Sequence, residues 1–221
     1  MTQTNSNEQK FTSIQNLIIL DRSGSMSSIA PQAIAGVNET IGSIRAAQRQ
    51  NPEMKQYLTI VSFCGCHIER FCYNTPIEKV ATLTPSDYQP CCSTPLYDTM
   101  GEALTTMRKA ISYMPQTGVS ITIITDGYEN SSRKWTGPQI KALVEILKAD
   151  GWLFAFIGAN QDMKEIRFNL SIDNVMAFKA TAEGTWEMFE KEKKARMNWY
   201  NKMKDASCSD PTSTNLNYFE D

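Results

Sequence analysis

The chain has 221 residues, a length that suits one large domain or two small ones. Apolar residues make up 41% and charged residues 21%, ordinary globular usage that excludes wholesale disorder. With 22 Lys and Arg against 24 Asp and Glu, the net charge of -2 gives no overall attraction for nucleic acid or an anionic membrane, and neither is expected as a partner. No run approaches the ~18 apolar residues of a membrane span. The segment 1–13 is polar and lacks the apolar stretch of a secretory leader. A cytoplasmic location is therefore expected, with the six cysteines present as thiols and not as a disulfide framework.

Residues 1–14, rich in Thr, Gln, Asn and Ser, read as a mobile tail. Leu17-Ile18-Ile19-Leu20 is short, continuous and branched, the pattern of a strand buried on both faces. It stops at the polar loop Asp21-Arg22-Ser23-Gly24-Ser25. Ile34, Val37, Ile41 and Ile44 then mark one helical face, and Asn51-Pro52 ends that helix. Tyr57 to Phe63 and Cys66 to Tyr73 read as two strands of a hairpin. A proline-containing loop leads to Cys91-Cys92-Ser93-Thr94-Pro95. A helix follows on Leu96, Met100, Leu104, Met107, Ile111 and Met114, with Thr94 or a neighbour as its cap and Pro95 in its first turn.

Val119 to Thr125 is the next buried strand, and it ends at Asp126-Gly127. Thr136 and Gln139 have capping-box spacing ahead of a helix that uses Ile140, Leu143, Val144 and Leu147. Trp152 to Ile157 is a further strand, closed by Gly158-Ala159-Asn160. A short helix at 162–169, a weak strand from Asn174 to Phe178 and a long helix at 182–204 complete the domain, 15–205. On the last helix Trp186, Phe189, Met197, Tyr200 and Met203 form a stripe expected to pack on the sheet. Its charged run Glu187 to Arg196 reads as a solvated face, and residues 206–221 as a disordered tail. Buried strands alternating with helices specify an α/β, Rossmann-like doubly wound fold. The sheet is mostly parallel with one antiparallel edge strand, and helices cover both faces. Such sheets bind ligands beyond the carboxyl ends of their strands, near the topological switch point.

The chemistry concentrates in Asp21-x-Ser23-x-Ser25. A carboxylate and two hydroxyls at alternate positions can converge when the loop curls. Thr94 adds a hydroxyl and Asp126 a second carboxylate. All are hard oxygen donors, suited to Mg²⁺ with Mn²⁺ as the alternative, and unsuited to soft-site metals. If hydroxyls take the direct positions, the ion stays electrophilic and favours a further anionic oxygen from outside the chain.

Leu17 to Met26, with its Asp-x-Ser-x-Ser, resembles the opening of a von Willebrand factor type A (vWA) domain and the first segment of its metal-ion-dependent adhesion site (MIDAS). Ser93-Thr-Pro-Leu-Tyr-Asp98 and Ile123-Ile-Thr-Asp-Gly127 resemble the segments carrying that site's threonine and final aspartate. The resemblance covers about residues 15 to 180. Leu83 to Tyr88 and Gly158-Ala159-Asn160 are similar to stand-alone bacterial and phage members. It implies that Ser23, Ser25 and Thr94 bind the ion directly, and Asp21 and Asp126 directly or through water. The implied activity is metal-dependent binding of a protein partner that supplies a carboxylate, without catalysis. Implied partners include AAA+ ATPases and the products of stress-resistance operons. One departure is Cys92, where the family often has glycine.

Other readings are weaker. Cys64, Cys66, His67 and Cys72 cluster around the hairpin, with Cys91-Cys92 able to approach. They read as semi-buried thiols, with zinc as the alternative. The single histidine, His67, lies on the hairpin, away from the metal loops, which disfavours a Ser-His-Asp triad. Neither a Gly-x-Ser-x-Gly elbow nor a phosphate-binding loop is present. A Mg²⁺-dependent hydrolase and a scaffold with a vestigial metal site remain as alternatives. Arg22 would either attract an acidic ligand or point into solvent.

Overall fold

The computed structural model describes residues 10–159, 161–206, 212, 215 and 217–220. Asn160 and most of the terminal segments lie outside them. The first strand, β1 (Ser13–Asp21), is buried along its whole length. The reason is its central place: it pairs in parallel with β2 (Lys55–Cys64) on one side and β4 (Thr117–Thr125) on the other. β3 (His67–Pro76) returns antiparallel to β2 at the edge. β5 (Leu153–Ala159) and β6 (Asn174–Phe178) extend the parallel sheet beyond β4. The order is β3-β2-β1-β4-β5-β6.

The period-2 alternation of the strands sorts side chains into two cores. Ile14, Ile18 and Leu20 of β1, with Leu153, Ala155 and Ile157 of β5, lie under α1 (Ala30–Gln50) and α5 (Ala182–Asp205). Leu17 and Ile19, with Phe154 and Phe156, lie under α2 (Leu96–Ile111), α3 (Gly137–Ala149) and α4 (Met163–Leu170). The capping box expected for α3 is present: the Gln139 side chain accepts the Thr136 N–H at 2.9 Å. Among the described residues no helix is long and apolar enough to cross a membrane.

Several expectations are corrected. β1 begins at Ser13 and not Leu17, so Ile14, assigned to the tail, is fully buried. The residue preceding α2 is Pro95, and Thr94 does not cap it. Trp186 is 62% exposed and leaves the packed stripe, whereas Phe189, Tyr200 and Met203 are buried. The charged run on α5 is not uniformly solvated: Glu192 and Arg196 are each 1% exposed. Arg196 donates to Thr122 Oγ1 (2.8 Å), to Asn16 Oδ1 (3.2 Å) and to Glu192, so its charge is buried against polar groups of the sheet. Of the expected C-terminal tail, Tyr218 is buried, with its hydroxyl 3.3 Å from Glu192 Oε1. Asn215 accepts the Trp199 indole N–H at 3.1 Å and donates to Gly151 O at 2.9 Å.

Candidate metal centre

Asp21 is the last residue of β1, and Asp126 directly follows β4. The two strands are neighbours in parallel register, Leu20 facing Ile124, so their carboxyl ends emerge side by side. The chain leaves β1 for α1 on one face and β4 for α3 on the other. That reversal is the topological switch point, where strand ends open a crevice.

The five oxygen-bearing residues singled out in the sequence meet there. Asp21 is fully buried; its Oδ1 accepts the Ser23 N–H at 2.7 Å and its Oδ2 the Thr125 hydroxyl at 2.6 Å. Ser23 and Ser25 hydroxyls lie 3.1 Å apart, and Ser25 donates to Asp126 Oδ1 at 2.6 Å. Gly127 gives the measure of convergence. A methyl group there would sit 3.4 Å from Thr94 Oγ1, 3.6 Å from Ser25 Oγ and 3.9 Å from Asp21 Oδ2. Three segments distant in sequence thus aim oxygens at one small volume.

Residues outside that set hold the loops. The Tyr88 hydroxyl donates to the Asp21 carbonyl. Thr94 N–H donates to Asn130 Oδ1 at 2.8 Å, and Asn130 N–H returns to Thr94 O at 3.1 Å. The free N–H groups of the first turn of α2 are taken by the same loop: Tyr97 N–H by Glu129 Oε2 (2.9 Å) and Asp98 N–H by Ser132 Oγ (3.0 Å). Asp98 reciprocates, accepting the N–H groups of Arg133, Lys134 and Trp135 at 2.8 Å each. Sequence reasoning missed Tyr88, Thr125, Glu129 and Asn130 as positioning residues. For Thr125, Glu129 and Asn130 the signal was only proximity to Asp126, and for Tyr88 only its place in the segment Leu83 to Tyr88. Cys92, standing where glycine is frequent, has φ 58°, the left-handed region that glycine occupies without steric cost.

Burial pushes the carboxyls of both Asp21 and Asp126 above the usual range, against the hydrogen bonds from Thr125, Ser23 and Ser25 that favour the charged form. Neither carboxylate has a basic ion-pair partner among the described residues. Buried carboxylates with hydroxyls beside them, and no ion-paired basic group among the described residues, make a donor set that fits a hard divalent cation.

No family model matches the chain, and no curated protein matches it in sequence. Solved structures do match its fold. The VWA domain of SpRpn10 aligns with a TM-score of 0.56 at 9% identity, covering 80% of this chain and 94% of that one. The fold is that of a vWA domain. The pilus adhesin SpaC of Lactobacillus rhamnosus GG aligns with a TM-score of 0.60 at 14% identity over 88% of this chain, which spans 31% of the adhesin. The manganese-loaded TRAP protein of Plasmodium vivax aligns with a TM-score of 0.53 at 14% identity, over 82% of this chain and 70% of that one.

Around the strand ends of this vWA fold, three other expectations change. Arg22 does not face solvent: it is 3% exposed and ion-paired with Glu69. His67 is half-exposed, with Nε2 3.1 Å from Glu69 Oε1. The turn preceding it does abut the metal loops, because Gly65 N–H donates to Ser93 O at 2.7 Å. The reading of all six cysteines as thiols is overturned by a disulfide between Cys66 and Cys92. Cys64, Cys72 and Cys91 are free, and Cys72 turns away to Leu58 O.

Proposed function

We propose that this chain is a divalent-metal-dependent protein-binding module. The observation that carries the reading is the convergence of Asp21, Ser23, Ser25, Thr94 and Asp126 at the switch point. These residues would hold Mg²⁺, or Mn²⁺ in its place. When bound, the cation supplies an electrophilic position for a carboxylate of the partner protein. The chain's own part is to present hydroxyls and not more carboxylates, so that the positive charge is incompletely neutralised. Thr125 and the Ser23 N–H keep Asp21 oriented, and Asn130 keeps Thr94 in place.

Binding without catalysis is the reading adopted over a Mg²⁺-dependent hydrolase. The one imidazole of the chain is engaged with Glu69 on the hairpin, where it supplies no base to the oxygen cluster. The manganese-loaded relative in fold supports a divalent ion in this architecture. The test is thermal unfolding of wild type and Asp126→Ala in Mg²⁺, Mn²⁺ and EDTA. Saturation at ~100 times the dissociation constant stabilises by about 2.7 kcal/mol, a shift of roughly 5–10 °C for a chain of this size. The wild type should shift and the variant should not. Immobilised protein should then retain a partner in Mg²⁺ and release it in EDTA; retention that is equal in both would overturn the proposal.

A further inference from the structure

Four cysteines meet beside the metal loops. The Sγ atoms of Cys64, Cys66, Cys91 and Cys92 all lie within 4.8 Å of one another. Two segments supply them. Cys64 ends β2 and Cys66 stands in the turn to β3; Cys91 and Cys92 belong to the loop that leads to Thr94. Backbone hydrogen bonds hold these segments together independently of sulfur: directly through Gly65 N–H to Ser93 O (2.7 Å), and by way of the loop after β1 through Cys91 N–H to Arg22 O (2.9 Å), Gly24 N–H to Cys92 O (3.0 Å) and Arg22 N–H to Phe63 O (2.7 Å). The scaffold therefore gathers the sulfurs whether or not any of them is bonded.

A staple between the two segments needs one pair of sulfurs, here Cys66 and Cys92. It gives no role to Cys64 and Cys91, whose sulfurs share a hydrogen bond at 2.8 Å at the same point. A tetrahedral ion would engage all four. At a Zn–S distance of about 2.3 Å the sulfurs stand about 3.8 Å apart, so the bonded Cys66–Cys92 pair and the close Cys64–Cys91 pair open as the ion enters, while all four stay within the span of this cluster. Neither remaining soft ligand competes: Cys72 bonds Leu58 O and His67 faces Glu69.

Arg22 is a second, independent observation. Its guanidinium is buried and lies beside the sulfurs of Cys64 and Cys91. One nitrogen, Nη1, bonds Glu69, while Nε and Nη2 are buried with no oxygen or nitrogen acceptor, and the guanidinium lies against the Cys64 sulfur. Buried cationic N–H groups need acceptors, and here sulfur is what stands within reach. Four thiolates around a dication leave a double negative charge, and donors directed at the sulfurs are what such a site requires around it.

We propose that the reduced chain binds one Zn²⁺ through Cys64, Cys66, Cys91 and Cys92 as a closed tetrathiolate site. Loading takes two balanced steps. A low-molecular-weight dithiol gives two electrons and two protons to the Cys66–Cys92 bond, yielding two thiols and the oxidised dithiol. The four thiols then lose their protons to solvent as four Zn–S bonds form. The ion ties the β2–β3 turn to the loop that carries Thr94, two residues beyond Cys92. Its soft ligands share no residue with the oxygen cluster, so either site can fail alone.

The full chain, reduced anaerobically with dithiothreitol, stripped with a chelator and given Zn²⁺, should retain one equivalent after gel filtration. Co²⁺ in its place should show thiolate-to-metal charge transfer and the intense visible bands of a tetrahedral sulfur site. Both signals should vanish in Cys66→Ser/Cys92→Ser and persist in Cys72→Ser and Asp126→Asn. Should the double variant misfold, Cys91→Ser serves: its Co²⁺ spectrum should lose charge-transfer intensity. Reduced wild type without retained zinc, a Co²⁺ form without thiolate bands, or zinc retained by the folded double variant would each overturn the proposal. Loss of zinc in Asp126→Asn alone would place the ion in the oxygen cluster and overturn it equally.

Discussion

Arg196→Met removes a guanidinium from the layer between α5 and the sheet while keeping an unbranched side chain to fill the space. The wild-type group donates to Asn16, Thr122 and Glu192. After its removal Asn16 Oδ1 still accepts the Tyr200 hydroxyl at 2.6 Å. Glu192 is left worse off. Its Oε1 keeps only the Tyr218 hydroxyl at 3.3 Å, its Oε2 has no hydrogen bond even in the wild type, and the residue is 1% exposed. Breaking a buried ion pair from one side costs about 3–5 kcal/mol, chiefly through the charge left uncompensated. For a chain of this size that lowers Tm by roughly 6–20 °C. Glu192→Met added to Arg196→Met removes the orphaned charge and should bring stability back to within about 2 kcal/mol of wild type. Urea unfolding followed by tryptophan fluorescence measures all three proteins. A single variant that loses less than about 1 kcal/mol, or a double variant less stable than the single, would refute the reasoning.

In α1, two glycines should respond with opposite signs. Gly42→Ala meets nothing within 4 Å and should stabilise by about 0.5–1 kcal/mol through helix propensity. Gly36→Ala would place its methyl 2.0 Å from the Phe189 ring and should destabilise by about 1–3 kcal/mol. Equal effects in urea unfolding would contradict the α1–α5 contact. Although burial raises the Asp98 carboxyl, three backbone N–H bonds outweigh it and hold the group below the usual carboxylate range. A lowered folded-state pKa stabilises above the unfolded value, near pH 4, and that stability is lost as pH falls through the folded value. Asp98→Asn should therefore cost about 1 kcal/mol at neutral pH, and the gap should close on acidification; a pH-independent gap would count against it. Asp126→Asn should abolish the Mg²⁺-dependent shift while its Tm in EDTA is unchanged or higher, because burial disfavours the carboxylate it removes. A large loss of Tm in EDTA would show that the carboxylate stabilises the metal-free fold.

Legibility in the sequence followed the range of the interactions involved. Val119 to Thr125 declares a buried strand by composition, as does Trp152 to Ile157, and both are central in the sheet. Thr136 and Gln139 declare a cap because their partners are three residues apart. Arg196 could not be read this way. An i,i+4 pair with Glu192 looks the same on a solvated face as in a core, and its other acceptors, Asn16 and Thr122, lie 180 and 74 residues away. Tyr218 and Asn215 were hidden in a polar segment for the same reason. The Cys66–Cys92 bond spans 26 residues, with nothing local to pair them.

The sequence by itself determined which segments form strands and helices. It also set the donor chemistry of the candidate site: two carboxylates and three hydroxyls, each next to a strand end or a helix start. Periodicity and residue type are local properties, and they survive without knowledge of partners. Only the tertiary structure decided that β1 and β4 lie side by side, so that Asp21, Ser25 and Thr94 come within reach of one point near Gly127. It likewise decided that Arg22 turns inward to Glu69, and that four cysteines from two loops share one corner. Such convergence depends on strand order and backbone hydrogen bonds between distant segments. Those are set by the packing of the whole sheet and leave no trace in any short stretch of residues.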